Sequence, residues 1–433
     1  MKFAKVLGVL AVGSLMIAAC GDDGEKTTAS TTTGATGATA PGATGAKPTG
    51  APIKVGLIAP QGTASFNLPG EVAAVTAGVN SINAAGGVGG RPLELVYCND
   101  KGDPNETSTC AQKMISEKVV AVVGGALLNG GTVLTPALAQ AGIPQIGLTA
   151  ISGPEFNSEN IFLFGGGNSF GYNVLVGYGA QKGLKVALVS SDNQAAKPLR
   201  DGLNAVADGG KNPFSATVLV PATATDFAPL VQAAKAGGTN AVLLFLGAEQ
   251  LTQFVAASEA AKTNFTYLTA YNWDKFDAKN FGGGEVLARV VSVAGFPPLS
   301  SDNKMVKQFV ADMAAAAKAK VADADITVEG AASAASLSTG WLALYAIDKV
   351  VEQKALTDVT AATLKAALKT TTNLDFDGLI LPWTPDKAGP TGLARVPDLH
   401  FHLIRYKNNE PFAITTAAVT VEELITGTVK VSQ

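Results

Sequence analysis

One serine in the chain has the setting of a nucleophile. Residues 167–171 read Gly-Asn-Ser-Phe-Gly, the G-x-S-x-G spacing that mounts a serine hydroxyl on a sharp strand-to-helix turn. An apolar run at 161–164 precedes it and a helix-period segment at 171–182 follows. The triad order Ser, Asp, His is available, because His400 and His402 both come late. Ser169 is therefore the candidate nucleophile of a secreted serine esterase. Two features weigh against it. Gly165-Gly166-Gly167 makes a loose link, and a chain with 48 glycines meets the spacing easily by chance. His400 and His402 alternate with Phe401 and Leu403, which places both on one strand face, more often a structural position. The sequence has no P-loop, no complete G-x-G-x-x-G after a strand and no H-E-x-x-H. A metal site built on the two histidines would need distant segments to converge without a normal ligand spacing, so neither metal nor cofactor is expected.

Binding without covalent chemistry has a better-placed candidate. Residues 119–154 read VVAVVGGALLNGGTVLTPALAQAGIPQIGLTAISGP. The apolar run 119–123 ends in a glycine-rich loop, a helix-period segment covers 132–141, and a second run, 143–148, ends in Thr149-Ala150-Ile151-Ser152-Gly153-Pro154. This is one β–α–β unit. In open parallel sheets, ligands bind outside the strand carboxyl ends, where loops and helix N-termini present unpaired N–H groups. Residues 126–131 and 149–152, holding Asn129, Gly130, Ala150 and Ser152, are the first candidate site.

The elements that must position these loops alternate along the chain. Runs at 53–58, 93–97, 161–164, 185–190, 216–220, 241–246, 266–270 and 290–294 read as strands. Helix-period segments lie between most of them, at 70–83, from Asp103-Pro104 to 117, and near 196–207, 227–236 and 250–261. Three helices in succession follow, at 302–320, 330–352 and 359–369, then strand-like residues at 379–381 and 401–407. Repeated βα units imply parallel sheets covered on both faces, and so many strands imply two α/β lobes. A length of 433 residues allows two cores, and a charged fraction of 15%, nearly balanced, excludes nucleic acid as a partner.

Three cysteines remain. Lys2 and Lys5 precede the apolar run 6–19, whose 14 residues fall short of a membrane span, and Leu15-Met16-Ile17-Ala18-Ala19-Cys20 resembles a bacterial lipobox. Residues 1–19 then read as a signal peptide and Cys20 as the lipidated residue; loss of the two lysines takes the net charge from −3 to −5. Residues 20–51 read as a Thr/Gly/Ala-rich tether without an apolar face. Cys98 and Cys110 flank the loop between a strand and the next helix, and in an exported chain a bridge between them would add about 3 kcal/mol. Two free buried thiols are the alternative.

A family resemblance rests on longer segments. IKVGLIAPQGTASFNLPGEVAAVTAGVNSINAAGGVGGRPLELVYCNDKGDP resembles the start of the substrate-binding proteins of branched-chain amino-acid-type ABC importers. VVAVVGGALLNGG, IPQIGLTAISGPEF, VVSVAGFPP, FDGLILPWTPD and KNNEPF are similar to later segments, so the likeness spans 53–414. It implies a type I periplasmic-binding fold, two doubly wound parallel-sheet lobes joined by three crossovers, with 53–166 plus 297–372 as lobe 1 and 167–296 plus 373–433 as lobe 2. It implies a monomer held outside the cytoplasm by its lipid, not an enzyme. The protein would capture an amino acid such as Leu, Ile or Val, or a related carboxylate, and deliver it to the permease of an ABC importer. The family positions that hold the α-carboxylate and ammonium correspond to Asn129, Ala150 and Ser152, with Asn129 replacing the usual serine. Phe66 would line the cleft from the first loop. In lobe 2 the aromatic position falls on Tyr271, beside Asn272; the nearby acids Glu249 and Asp274 are out of register. That departure leaves an amide, urea or aromatic acid as an alternative ligand.

Overall fold

The computed structural model describes residues 46–63, 67–128, 130–193, 196–270, 283–328, 337–389 and 393–431. The expected signal peptide, Cys20 and most of the tether lie outside the described residues, as do Phe66, Asn129, Tyr271, Asn272 and Asp274.

Short, mostly apolar runs become the strands of the first sheet. β1 (Ile53–Ile58) leads through α1 (Pro69–Ala84) to β2 (Leu93–Cys98), and α2 (Pro104–Ser116) leads to β3 (Ala121–Val123). α3 (Gly131–Gln140), β4 (Gln145–Ile146), α4 (Gly153–Asn157) and β5 (Ile161–Phe162) complete this part. The strands are parallel in the order β2-β1-β3-β4-β5. Asp103 caps α2 by accepting the N–H groups of Asn105 (2.7 Å) and Glu106 (3.2 Å), with Pro104 pre-set for the first turn. Cys98 and Cys110 form a disulfide from β2 to α2, with their Cα atoms 5.6 Å apart.

The second sheet repeats the scheme. α5 (Asn168–Gln181), β6 (Val186–Ser191), α6 (Lys197–Gly209), β7 (Ala216–Val220), α7 (Ala228–Ala234), β8 (Ala241–Phe245), α8 (Ala248–Ala260), β9 (Thr266–Thr269), α9 (Gly284–Leu287) and β10 (Val290–Ala294) follow in order. After α10 (Lys304–Lys318), α11 (Thr339–Gln353) and α12 (Ala361–Thr370), the chain returns as β11 (His402–Lys407), β12 (Glu410–Ala413) and α13 (Val421–Thr426). The strand order is β12-β11-β10-β9-β8-β6-β7, parallel except where β11 pairs antiparallel with β10 and β12. Each sheet reverses its strand order once, between β1 and β3 and between β6 and β8, which are the topological switch points where α/β sheets bind ligands.

α10, α11 and α12 pack with α1 on the first sheet around Trp341, Phe309 and Leu344. A Cβ on Gly78 would lie 2.9 Å from both Trp341 and Leu344, so glycine lets α11 approach α1 closely. Asp312 sits in this core and accepts hydrogen bonds from Trp341 Nε1 (2.8 Å), Tyr345 Oη (2.8 Å) and Gln308 Nε2 (2.7 Å).

The segment after α12 differs from its sequence reading. Leu374, Phe376, Leu379 and Trp383 belong to the first core, although the resemblance placed 373 onward in lobe 2. Trp383 Nε1 donates to Leu163 O at 2.8 Å, and Arg395 Nε donates to Ile161 O at 2.8 Å. Residues 379–381 form a turn, not a strand; the pairing there is the bridge between Leu374 and Trp383. α4 and α13 occupy stretches read as loop.

Candidate functional site

Loops at the carboxyl ends of both sheets enclose a cavity of about 930 Å³, the size range of small-molecule sites. β3 delivers Ala126, and β4 delivers Leu148, Thr149, Ala150 and Ile151. Asn67, Leu68 and Glu71 come from the entry to α1, and Leu337, Ser338 and Thr339 from the entry to α11. The second sheet contributes Leu199 of α6 and the end of β10, including Phe296. The wall is mainly apolar. Its charged or titratable members among the described residues are Glu71, Asp398 and His400, with neither lysine nor arginine.

The sequence candidates fall in different places. Ala150 lines the cavity; Ser152, Gly130 and Glu249 are not among the residues that line it. Ser152 caps α4, and its hydroxyl donates to Glu155 Oε2 (2.9 Å), which also accepts the N–H groups of Ile151 (2.8 Å) and Ser152 (2.7 Å). With its proton committed there, the Ser152 hydroxyl has lone pairs left to accept, not a proton to offer a carboxylate. Gly130 is buried as the N-cap of α3, where a Cβ would come within 2.5 Å of Thr107 Oγ1. Glu249 is exposed in the first turn of α8. Ser169 lies in the first turn of α5, and residues 163–167 separate it from β5, so the immediate strand-to-helix turn of an esterase elbow is absent at this position.

Sequence reasoning missed the charged groups of the cavity. Glu71 Oε1 accepts the N–H groups of Gly125 (3.3 Å) and Gly340 (3.0 Å), and burial pushes its carboxyl above the usual range against the lowering effect of Ser338 and those N–H groups. Asp398 and His400 approach from the strand-free segment before β11. Asp398 accepts the backbone N–H of His400 at 2.9 Å and pairs with its Nδ1, while Nε2 faces Glu423 of α13 at 3.8 Å. The hydrogen bond to Asp398 raises the His400 pKa. His402, one strand face further on, is buried with its Nδ1 unpartnered, and desolvation lowers it to about 4. An Asp-x-His spacing ahead of a strand was a visible signal for the first pair; no local spacing signalled Glu71.

Residues 52–394 match the family described as periplasmic binding protein. The chain belongs to this family. The match covers the first sheet, the second sheet through β10 and the segment that carries Trp383, and the family is one of binding proteins. The chain is also similar to the Leu/Ile/Val-binding protein homolog 3 of Brucella melitensis biotype 1, with 28% identity over 200 residues, 44% of this chain and 54% of that protein. It thus spans about half the length of that curated relative. Among solved structures, LivJ, the branched-chain amino acid transporter substrate-binding protein of Streptococcus pneumoniae in complex with isoleucine, superposes with a TM-score of 0.62 at 20% identity, over 85% of this chain and 99% of that one. A solute-binding protein of an R. palustris ABC transporter in complex with benzoate gives 0.61 at 20% identity, over 86% and 98%. These likenesses establish the type I periplasmic-binding fold for the family member described here.

Proposed function

We propose that this protein is the extracytoplasmic capture component of an ABC importer, holding one small amphipathic solute in the cavity between its two sheets. One observation carries the reading: the loops at the carboxyl ends of both sheets share a single cavity walled mainly by apolar groups with a few polar ones. The first-choice ligand is an amino acid with an apolar side chain, such as Leu, Ile or Val. The relative from Brucella is named for those amino acids and the S. pneumoniae structure holds isoleucine. A second class, aromatic or other apolar carboxylates, is favoured by the apolar wall and by the benzoate of the R. palustris structure. Ala150, Thr149 and the neighbouring backbone N–H groups are the proposed anion-facing part, and Ser152 acts through Glu155 to hold that loop.

We place lobe 1 at 53–166 plus a returning segment from about 297 to 396, and lobe 2 in the remainder, with crossovers near 163–168, 294–298 and 396–401. The returning segment ends later than the family comparison of sequence alone implied, because Trp383 and Arg395 bind carbonyls of the first sheet. Cys20 carries the proposed lipid, and residues 20–51 the proposed tether to the membrane. No catalytic role is assigned to Ser169.

Native mass spectrometry of protein purified without unfolding, followed by titration calorimetry with an amino-acid and carboxylate panel, tests the proposal. One bound small molecule per chain and saturable binding of a panel member support it. Ester hydrolysis abolished by Ser169→Ala, with no solute bound, would overturn it.

A further inference from the structure

The cavity wall holds a carboxylate for which the surrounding backbone has been shaped. Glu71 stands in the first turn of α1, and its Oε1 accepts N–H groups from the loop after β3 and from the first turn of α11. A Cβ on Gly124 would lie 2.2 Å from that oxygen, and one on Gly340 would lie 2.5 Å from it. Gly124 and Gly340 also touch each other, with a Cβ on Gly124 only 2.5 Å from the Cα of Gly340. Glycine at both positions, about half the chain apart, makes the room the carboxylate needs.

The N-termini of α1 and α11, the N–H groups of Gly125 and Gly340 and the Ser338 hydroxyl favour the ionised carboxylate, while burial opposes it. No lysine or arginine ion pair reaches it among the described residues. Glu71 remains partly exposed, and what it faces is the cavity. The other ionisable groups of the described wall, Asp398 and His400, are already paired with each other. Among the described residues of the wall, Glu71 is the one ionisable group without an ionic partner, and in its ionised form it would repel an anion alone. A cation would meet a carboxylate set in a mostly apolar wall, where an ion pair is less screened than in water.

We propose that Glu71 receives a cationic nitrogen of the bound solute, so that the ammonium end of the ligand is held by lobe 1 at the junction of α1, the β3 loop and α11. This rests on the solute-binding reading and deepens it: the ligand class becomes an apolar amino acid or amine, not a simple carboxylic acid. It also locates the acid partner away from Glu249, which is exposed on α8.

Three probes that share the isobutyl side chain of leucine test the assignment by calorimetry. Leucine carries both charged ends, 4-methylpentanoate lacks the ammonium, and 3-methylbutylamine lacks the carboxylate. The variant is Glu71→Gln, whose amide oxygen still accepts both N–H groups, and its melting temperature is measured alongside. Wild type should bind leucine more tightly than 4-methylpentanoate. Glu71→Gln should weaken leucine and 3-methylbutylamine on the order of tenfold to a hundredfold and leave 4-methylpentanoate unchanged or tighter. Equal loss for all three probes, or no loss for the amine-bearing ones, would overturn the assignment. Wild-type protein that prefers 4-methylpentanoate would overturn it while leaving the solute-binding reading intact. Wild-type protein that binds none of the three would defeat both the ligand class and the role of Glu71.

Discussion

Gly124→Ala isolates the cost of the carboxylate cradle. Gly124 has φ +59°, a left-handed value that a Cβ makes unfavourable by about 1–2 kcal/mol. The added methyl would also sit 2.2 Å from Glu71 Oε1 and 2.5 Å from the backbone of Gly340, and overpacking of that kind costs about 1–3 kcal/mol more. Gly102 supplies the control: its φ is +72°, and a Cβ there meets nothing within 4 Å. Gly102→Ala therefore reports the backbone component alone. In thermal and urea unfolding, Gly124→Ala should lose about 2–5 kcal/mol and Gly102→Ala about 1–2 kcal/mol. Adding Glu71→Ala should recover part of the Gly124→Ala loss, because one of the two obstacles is gone; the contact with Gly340 keeps the recovery incomplete. Equal losses for the two glycine variants would refute the steric reasoning. So would a double variant that merely adds the two single losses.

Three further outcomes follow from the buried polar groups and the disulfide. Asp312→Ala strands the Trp341 indole N–H and the Tyr345 hydroxyl in the first core, and should destabilise by about 2–4 kcal/mol in urea unfolding, with Asp312→Asn costing less. Replacing Cys98 and Cys110 together by serine opens a loop with a separation of 12 residues and should cost about 3 kcal/mol, read as a lower melting temperature in non-reducing buffer. His402 is neutral and buried, with its pKa lowered to about 4 by desolvation, whereas the unfolded chain takes up that proton near its ordinary value of 6.5. Its contribution is thus full above pH 6.5 and lost as pH falls toward 4, by about 3 kcal/mol at most, and His402→Leu should flatten that part of the stability profile measured by denaturation at a series of pH values.

Much of the fold was legible because its interior strands are short, mostly apolar and punctuated by glycine. Residues 53–58 and 290–294 read directly as strands for that reason, and Asp103-Pro104 announced α2 through its cap. The capping boxes Ser152-x-x-Glu155 and Thr420-x-x-Glu423 were equally visible, yet the helices they open are one or two turns long and carry too little periodicity to be read as helix. The segment 374–383 was placed in the wrong core because its anchor is a Trp383–Leu163 hydrogen bond between residues 220 positions apart, which no local pattern encodes. Glu71 was missed for the same physical reason. Its setting depends on Gly124 and Gly340 meeting in space, and a glutamate in the first turn of a helix is otherwise an ordinary helix-start residue. Ser152, by contrast, drew attention as a free hydroxyl, whereas in the folded loop that hydroxyl donates its hydrogen bond to Glu155.

The central claim is that the cavity between the two sheets holds the solute. Titration calorimetry of wild type against Ala150→Trp tests it most directly, since an indole at Ala150 would fill the cavity from the loop after β4. The account predicts saturable one-to-one binding of leucine or a close relative in wild type, and its loss in Ala150→Trp at an unchanged melting temperature. Undiminished binding by Ala150→Trp would contradict it.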